Sequence, residues 1–421
     1  MRGTLAIAEV LMPDTPDDAE DPLAAIFAAT EAARPTVTAA GGSQDRALAK
    51  VEAMIALMQA AITNHPRFVA LEAAWRSLHR LVEAPDDAPV VVKLMPLTKR
   101  EVARDLRAVQ DPADSELAAQ LWDEGLGAGE PFGLLLMDAE FDAGPEDVLA
   151  LRGLAAAGAG AFVPVVAHIA PMLLDLDGWP ELPARRDPSR LFEGPRHVAW
   201  RALRDSEEAR FLCLAGPRVL ARGGQGAPRW TGGGWVLAAR AVAAFHRDGW
   251  AAGIEGREHG TEPGLPPAGS IPTEADPADG QEIALATAGL TLLVPRGPDR
   301  AAVLLAPSLH KAPRFHAPAA TADAALAVRL PWVLGTGRIL QALALRGAHE
   351  LHRGHGAAAA ARALNTWLQG LCGEDGPLAE GTAELPEAKG HPGVHLLAAK
   401  LRVRLPQGTA SATHRVMLNL P

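Results

Sequence analysis

The sequence predicts a mixed α/β protein: a mainly parallel β-sheet flanked by helices, preceded by an N-terminal arm and followed by an α+β part that ends in a β-hairpin. Three observations carry this. Between residues 89 and 215, apolar and β-branched runs alternate with short helical patterns, the rhythm of a parallel sheet covered on both faces. Before that stretch, apolar residues recur every three or four positions over two successive segments, as on helices with one buried face. At the end, segments 394–405 and 411–420 alternate apolar and polar residues, as half-solvated strands do.

Taken in order, residues 1–45 are acidic, with Asp14, Asp17, Asp18, Glu20 and Asp21, then Ala/Thr-rich, and close in Gly41-Gly42-Ser43. That composition suits an extended arm that needs a partner to become ordered. Leu48, Val51, Ile55, Met58 and Ile62 define an amphipathic helix ended before Pro66. Phe68, Leu71, Trp75, Leu78 and Val82 define a second, packed on the body or on a neighbour. Residues 90–94 read as a strand, and 98–109 as a helix whose Thr98 and Glu101 have capping-box spacing. A strand over 133–137 leads to a helix over 145–157 with Pro145 at its first position. A strand over 161–167, a helix over 196–204 and a strand over 211–215 follow.

Residues 223–234 form a glycine-rich loop and 235–245 a helix, while 255–280, rich in Gly, Pro, Asp and Glu, read as an exposed excursion. Strands are expected over 283–293 and 301–306, and a linker over 307–320, where Pro307, Pro313 and Pro318 fall. Helices over 322–346, with a break near Gly335 and Gly337, and over 357–371 precede the terminal strands. The division is therefore an arm (1–45), a core domain opening with the helix hairpin (46–306) and a C-terminal domain (307–421).

The 421 residues suffice for two or three cores. Those cores must rest on Leu, Val and Ala with nine tryptophans, because tyrosine is absent. A net charge of −10 argues against sequence-independent binding to nucleic acid or to an anionic membrane. Cys213 and Cys372, both beside leucines, read as buried thiols in a reducing compartment. Residues 1–10 run into carboxylates and lack a signal-peptide pattern. The longest apolar stretch, 154–170, is interrupted by Gly158, Gly160 and Pro164. A cytoplasmic protein without membrane insertion is expected.

Asp138, Glu140 and Asp142 alternate in a turn just past the C-terminal end of the 133–137 strand, a position where α/β enzymes hold Mg²⁺ through carboxylates. They give the alternative reading of a Mg-dependent α/β enzyme. Against it, Asp142 or a neighbour can cap the helix entering at Pro145, with Glu146 and Asp147 favouring its positive end. His349, His352 and His355 lack the spacing of a zinc helix and read as a solvated helix end. Neither Gly158-Ala-Gly160 nor the 223–234 run sits where a phosphate loop would. No catalytic residue, cofactor or metal is therefore assigned. Arg201, Arg204, Asp205, Glu207, Glu208 and Arg210 form a charge-alternating run. It is either a solvated helix face or a device setting register between subunits.

The order of several landmarks adds a further reading. Residues 64–82, opening Asn64-His-Pro-Arg-Phe68, are followed by 99–106, by the segment 130–220 with Trp179 and Trp200, by Asp248-Gly-Trp250, Lys311-Ala-Pro-Arg-Phe315, Leu330-Pro-Trp332 and Trp367-Leu368. In this order they resemble the large subunit of the type VI secretion contractile sheath, the TssC/VipB family. That resemblance implies a contractile-sheath fold and a non-enzymatic structural role. It implies pairing with a small sheath subunit and other copies of the chain, stacking around an inner tube protein, contact with baseplate components, and recycling by an AAA+ disassembly ATPase. It also implies exchange of N- and C-terminal strands between neighbours. Assembly candidates are the Phe68 and Trp75 helix face, the charge run of Arg201, Arg204, Glu207, Glu208 and Arg210, and the terminal strands around Val403 and Val416. The short arm and the 223–234 glycine loop depart from the family pattern. They keep both a principal subunit and a non-tube-forming accessory paralogue open.

Overall fold

The computed structural model describes residues 3–9, 42–83, 90–127, 130–185, 188–223, 227–267, 271–374, 376–387, 394–406 and 408–418. Its centre is a sheet built from β1 (Gly3–Glu9), β2 (Val90–Pro96), β3 (Phe132–Phe141), β4 (Val165–Ile169), β5 (Leu212–Gly216), β8 (Thr261–Glu262), β9 (Leu290–Pro295) and β10 (Ala301–Val303). The order is β2-β1-β3-β4-β5-β9-β10-β8. The strands from β2 to β9 run parallel, and β10 and β8 close one edge antiparallel. The mainly parallel sheet expected from the alternating pattern is present.

Alternate residues divide the sheet's two faces, as the period of two requires. Leu135, Met137, Val165, Ala167, Leu212 and Leu214 join a core with α3 (Lys99–Ala108) and α4 (Pro145–Ala161). Leu134, Leu136, Val166, Cys213 and Ala215 face a second core made with α2 (Pro66–Val82) and α6 (Gly234–Asp248). A third core unites α9 (Leu330–His352), α10 (Ala357–Gly370), β11 (Leu378–Glu384) and β12 (His395–Leu405) with Phe162 and Phe211. β12 pairs antiparallel with both β11 and β13 (Gly408–Leu418). The terminal hairpin is as expected, whereas β11, with Gly381 and few β-branched residues, carries no strand pattern of its own.

Local chemistry sets the element ends. Thr98 and Glu101 form the reciprocal capping box, and Pro145 opens α4. α1 (Ser43–Thr63) and α2 turn at Asn64–His65, where His65 Nδ1 accepts from Arg67 N at 3.3 Å.

Several expectations are corrected. The start of the 1–45 stretch is a strand, β1, paired on both sides; its Leu5-Ala6-Ile7-Ala8 run suits a sheet interior, and residues 10–41 lie outside the described residues. The 255–280 stretch is not an exposed excursion, because Glu255, Glu262, Leu265, Thr273 and Ala275 are buried. Residues 283–293 are not one strand: α7 (Gln281–Thr287) precedes β9, and Gly289 at φ +83° turns the chain between them. The linker reading fails for Pro307, Ser308, Leu309 and His310, which are buried, with Leu309 N donating to Leu212 O. The helix break comes before Leu330, between α8 (Pro318–Ala327) and α9. Gly335 and Gly337 instead lie inside α9, where a Cβ on Gly337 would stand 2.6 Å from Phe162 O. That glycine permits α9 to lie against the end of α4.

Candidate assembly surfaces

The α1–α2 hairpin turns an apolar face away from the molecule. On α2 the body side is Ala73, Ala74, Ser77, Leu78 and Leu81. Phe68 and Trp75, 40% and 48% exposed, point outward with Leu71 and Val82, and α1 adds Leu48, Val51, Ile55 and Ile62. Of the stripe expected to pack, only Leu78 is buried in the body. Exposed apolar residues gathered on one helix pair in this way mark an interaction site.

One buried arginine holds the hairpin in place. β6 (Val219–Arg222) and β7 (Arg229–Thr231) form an antiparallel pair under α2. From β7, Arg229 donates to Glu72 Oε2 at 2.8 Å, to Thr63 O at 2.7 Å and to Asn64 Oδ1 at 3.3 Å. Glu72 also receives Arg76 and lies 3.3 Å from Arg222. Although burial opposes it, this arginine company holds the Glu72 carboxyl below its usual range. Nothing in the sequence singles out Arg229, because it follows a glycine loop and its partners on the hairpin are 157 and more positions away.

The charge run is corrected, because its arginines turn inward. Arg201 donates to Phe192 O and Gly194 O, and Arg204 to Leu309 O and Thr287 O. Arg210 pairs with Glu207 and stacks over Trp332. The long arginine stems on α5 (Val198–Asp205) carry their guanidinium groups to backbone carbonyls of neighbouring segments. Outward, Asp205, Glu207 and Glu208 remain exposed, so the solvent face is acidic and not alternating. Val403 is fully buried against α9; its part in any strand exchange must run through backbone. Val416 pairs with Leu397 in β13, one edge of the three-stranded sheet.

The three carboxylates of the enzyme reading have protein partners. Asp138 and Glu140 lie within β3, not in a turn after it. Asp138 Oδ1 accepts from Trp235 Nε1 at 2.8 Å and from His168 Nε2 at 2.7 Å. His168 Nδ1 accepts from Gly234 N, which places the ring proton on Nε2. Glycine at 232–234 is required here, since a Cβ on Gly232 would meet the His168 ring at 2.1 Å. Glu140 chelates Arg218, and Asp142 accepts from Gly144 N while Asp147 receives Lys99 and Asp142 N. The cap expected of Asp142 or a neighbour is not formed: Gly144 is the N-cap residue and has no side-chain cap, and Asp142 closes the turn just before it. His355 pairs with Glu350, and His352 faces Ala348 O. Among the described residues no group of three or more His, Cys, Asp or Glu is placed to hold a metal ion. Burial pushes the Cys213 thiol up to about 12, and Cys372 is half-buried.

Comparison with known proteins bears on all of these surfaces. The VipB family model, describing the EvpB-type tail sheath N-terminal domain, matches residues 45–229. The type VI secretion system sheath protein TssC1 of Pseudomonas aeruginosa is 32% identical over 337 residues, covering 69% of this chain and 68% of that protein. The chain belongs to the type VI secretion sheath large-subunit family. The family match runs from Asp45, in the first turn of α1, to Arg229, so it takes in both the exposed hairpin and the arginine that fastens it. The sheath family is structural, and its members assemble with other sheath subunits. No helix among the described residues is long and apolar enough to cross a membrane.

Sequence reading missed Glu255. Its Oε2 accepts from Arg329 Nη2 and Ala306 N, both at 2.7 Å, while Oε1 is buried without a hydrogen-bond partner. Burial, outweighing Arg329, raises this carboxyl to about 6. The pair fastens the entry of α9 to the sheet, and nothing in the local pattern around Glu255 announces it.

Proposed function

We propose that this chain is a wall subunit of the cytoplasmic contractile sheath. It pairs with a small sheath subunit and further copies of itself, stacks around an inner tube on a baseplate, contracts to drive the tube outward, and is recycled by a disassembly ATPase. The observation that supports this best is the α1–α2 hairpin: a rigidly fastened helix pair whose apolar residues Val51, Ile55, Phe68 and Trp75 face solvent. Covering such a face removes apolar surface from water at roughly 25 cal/mol per Å², so a neighbouring subunit is its natural cover. No catalytic role is part of the reading, since the candidate carboxylates are engaged by Arg218, Trp235, His168 and backbone amides.

Co-expression with the cognate small subunit is expected to yield long tubes in negatively stained micrographs. The double variant Phe68→Ser with Trp75→Ser, altering only exposed positions, should remain folded by circular dichroism yet form no tubes. Tubes of normal length from that variant would remove the hairpin from the interface. A stable complex without tubes from the unaltered pair would favour the accessory paralogue.

A further inference from the structure

A groove of 690 Å³ lies between α7 and α8, a size that suits small-molecule ligands. Its frame is pinned through the backbone. Ser308 N donates to Val328 O, Leu309 N to Leu212 O and Lys311 N to Arg204 O. Beyond Arg314, Phe315 N donates to Thr321 Oγ1 on α8 at 3.0 Å. The loop that carries Lys311 and Arg314 is therefore tied to the body at one end and to α8 at the other.

The lining divides by chemistry. Ile283 and Ala286 of α7 and Ala322, Ala325 and Leu326 of α8 form aliphatic walls, joined by Leu305. No aromatic side chain lines the groove among the described residues, so it has no platform on which a nucleobase would stack. His310 on the lining donates to Ser206 O. The charged lining is Arg204, Lys311, Arg314 and Arg329, with no Asp or Glu. Glu255 neutralises Arg329, but Arg204 donates to the uncharged carbonyls of Leu309 and Thr287. Lys311 and Arg314 are exposed and have no carboxylate partner among the described residues. Positive charges without ion-pair partners beside aliphatic walls, in a chain of net charge −10, are complementary to an anionic head on an aliphatic tail.

We infer that the α7–α8 groove binds a free single-chain aliphatic anion, a medium-chain carboxylate in its simplest form, with its head on Lys311 and Arg314 and its tail along Ile283, Ala322, Ala325 and Leu326. Charged donors orient the head, and each methylene laid on the walls leaves water. The groove shares no lining residue with the α1–α2 hairpin, so the site stands or falls independently of the sheath-wall reading.

The test follows the fluorescence of dansyl-undecanoic acid on the full chain, with displacement by hexanoate, octanoate, decanoate and octanol below their micellar concentrations. Saturable binding of one probe per chain is expected. Displacement should tighten about tenfold for every two methylenes added. Octanol, lacking the charge, should displace about tenfold less well than octanoate, and neither outcome depends on a protein variant folding. Lys311→Glu with Arg314→Glu, and separately Ala325→Glu at an exposed wall position, should each weaken binding about tenfold or more. Phe68→Ser with Trp75→Ser on the hairpin should change it less than about twofold. Equal displacement by octanol and octanoate, loss of binding in the hairpin variant, or no saturable binding up to millimolar protein overturns the site. Binding of the chain to phosphatidylglycerol vesicles that Lys311→Glu with Arg314→Glu abolishes would overturn the free ligand in favour of a lipid surface.

Discussion

Replacing Arg229 by alanine tests whether the hairpin is fastened through one side chain. Arg229 is almost fully buried and makes short bonds to Glu72 Oε2 and Thr63 O. Each bond to or from a charged group contributes about 1.5–3 kcal/mol. Glu72 keeps Arg76 at 2.9 Å and Arg222 at 3.3 Å, so the carboxylate is not stranded. The cost should therefore sit near 3 kcal/mol, at the low end for breaking a buried pair. The remaining attachment through Ala73, Leu78 and Leu81 stays intact, so the loss should be local. At 1.4 kcal/mol per decade, 3 kcal/mol corresponds to roughly a hundredfold easier opening. Hydrogen exchange read by mass spectrometry should show amides of α2 exchanging about a hundredfold faster, and those of β3 unchanged. Arg229→Lys should not restore protection, because one ammonium cannot span Glu72, Thr63 and Asn64 as a guanidinium does. Protection of α2 within threefold of the unaltered chain would refute the clamp, as would equal loss in β3.

Two further substitutions probe the body. Glu255 titrates near 6 in the fold against an ordinary 4.5, so the native state binds the proton more tightly. The group therefore adds stability as pH falls from 7, by about 1 kcal/mol at pH 5 and up to ~2 kcal/mol below pH 4.5, and that stability is lost as pH rises through 6. Urea midpoints at pH 5 and 7.5 should differ less in Glu255→Gln than in the unaltered chain, and an identical difference would be contrary to expectation. Gly337→Ala drives a methyl group to within 2.6 Å of Phe162 O and should cost about 1–3 kcal/mol. Gly160→Ala, at an exposed helical position with open space around it, should instead add about 0.5–1 kcal/mol; thermal melts rank the two.

Much of the architecture was legible along the chain because it rests on local rules. The spacing of Leu48 to Ile62 makes a helix wherever it is placed, Thr98 and Glu101 cap their own backbone, and the alternating strands 395–405 and 408–418 pair with each other. The ordered landmarks from Asn64 to Trp367 likewise sufficed for the family, since they are read one after another. What those patterns could not decide is which way each face turns. An apolar stripe at helical spacing is the same string whether it packs on the body, as Leu78 does, or meets solvent, as Phe68 and Trp75 do. A run of alternating charges looks solvated until Arg201 and Arg204 find carbonyls at Phe192 and Leu309. The carboxylates of β3 resembled a metal site until Arg218, Trp235 and His168 were brought to them across 30 to 97 positions. Local propensity and period are properties of neighbours in sequence; burial and ion pairing depend on segments far apart, and only the tertiary structure brings those together.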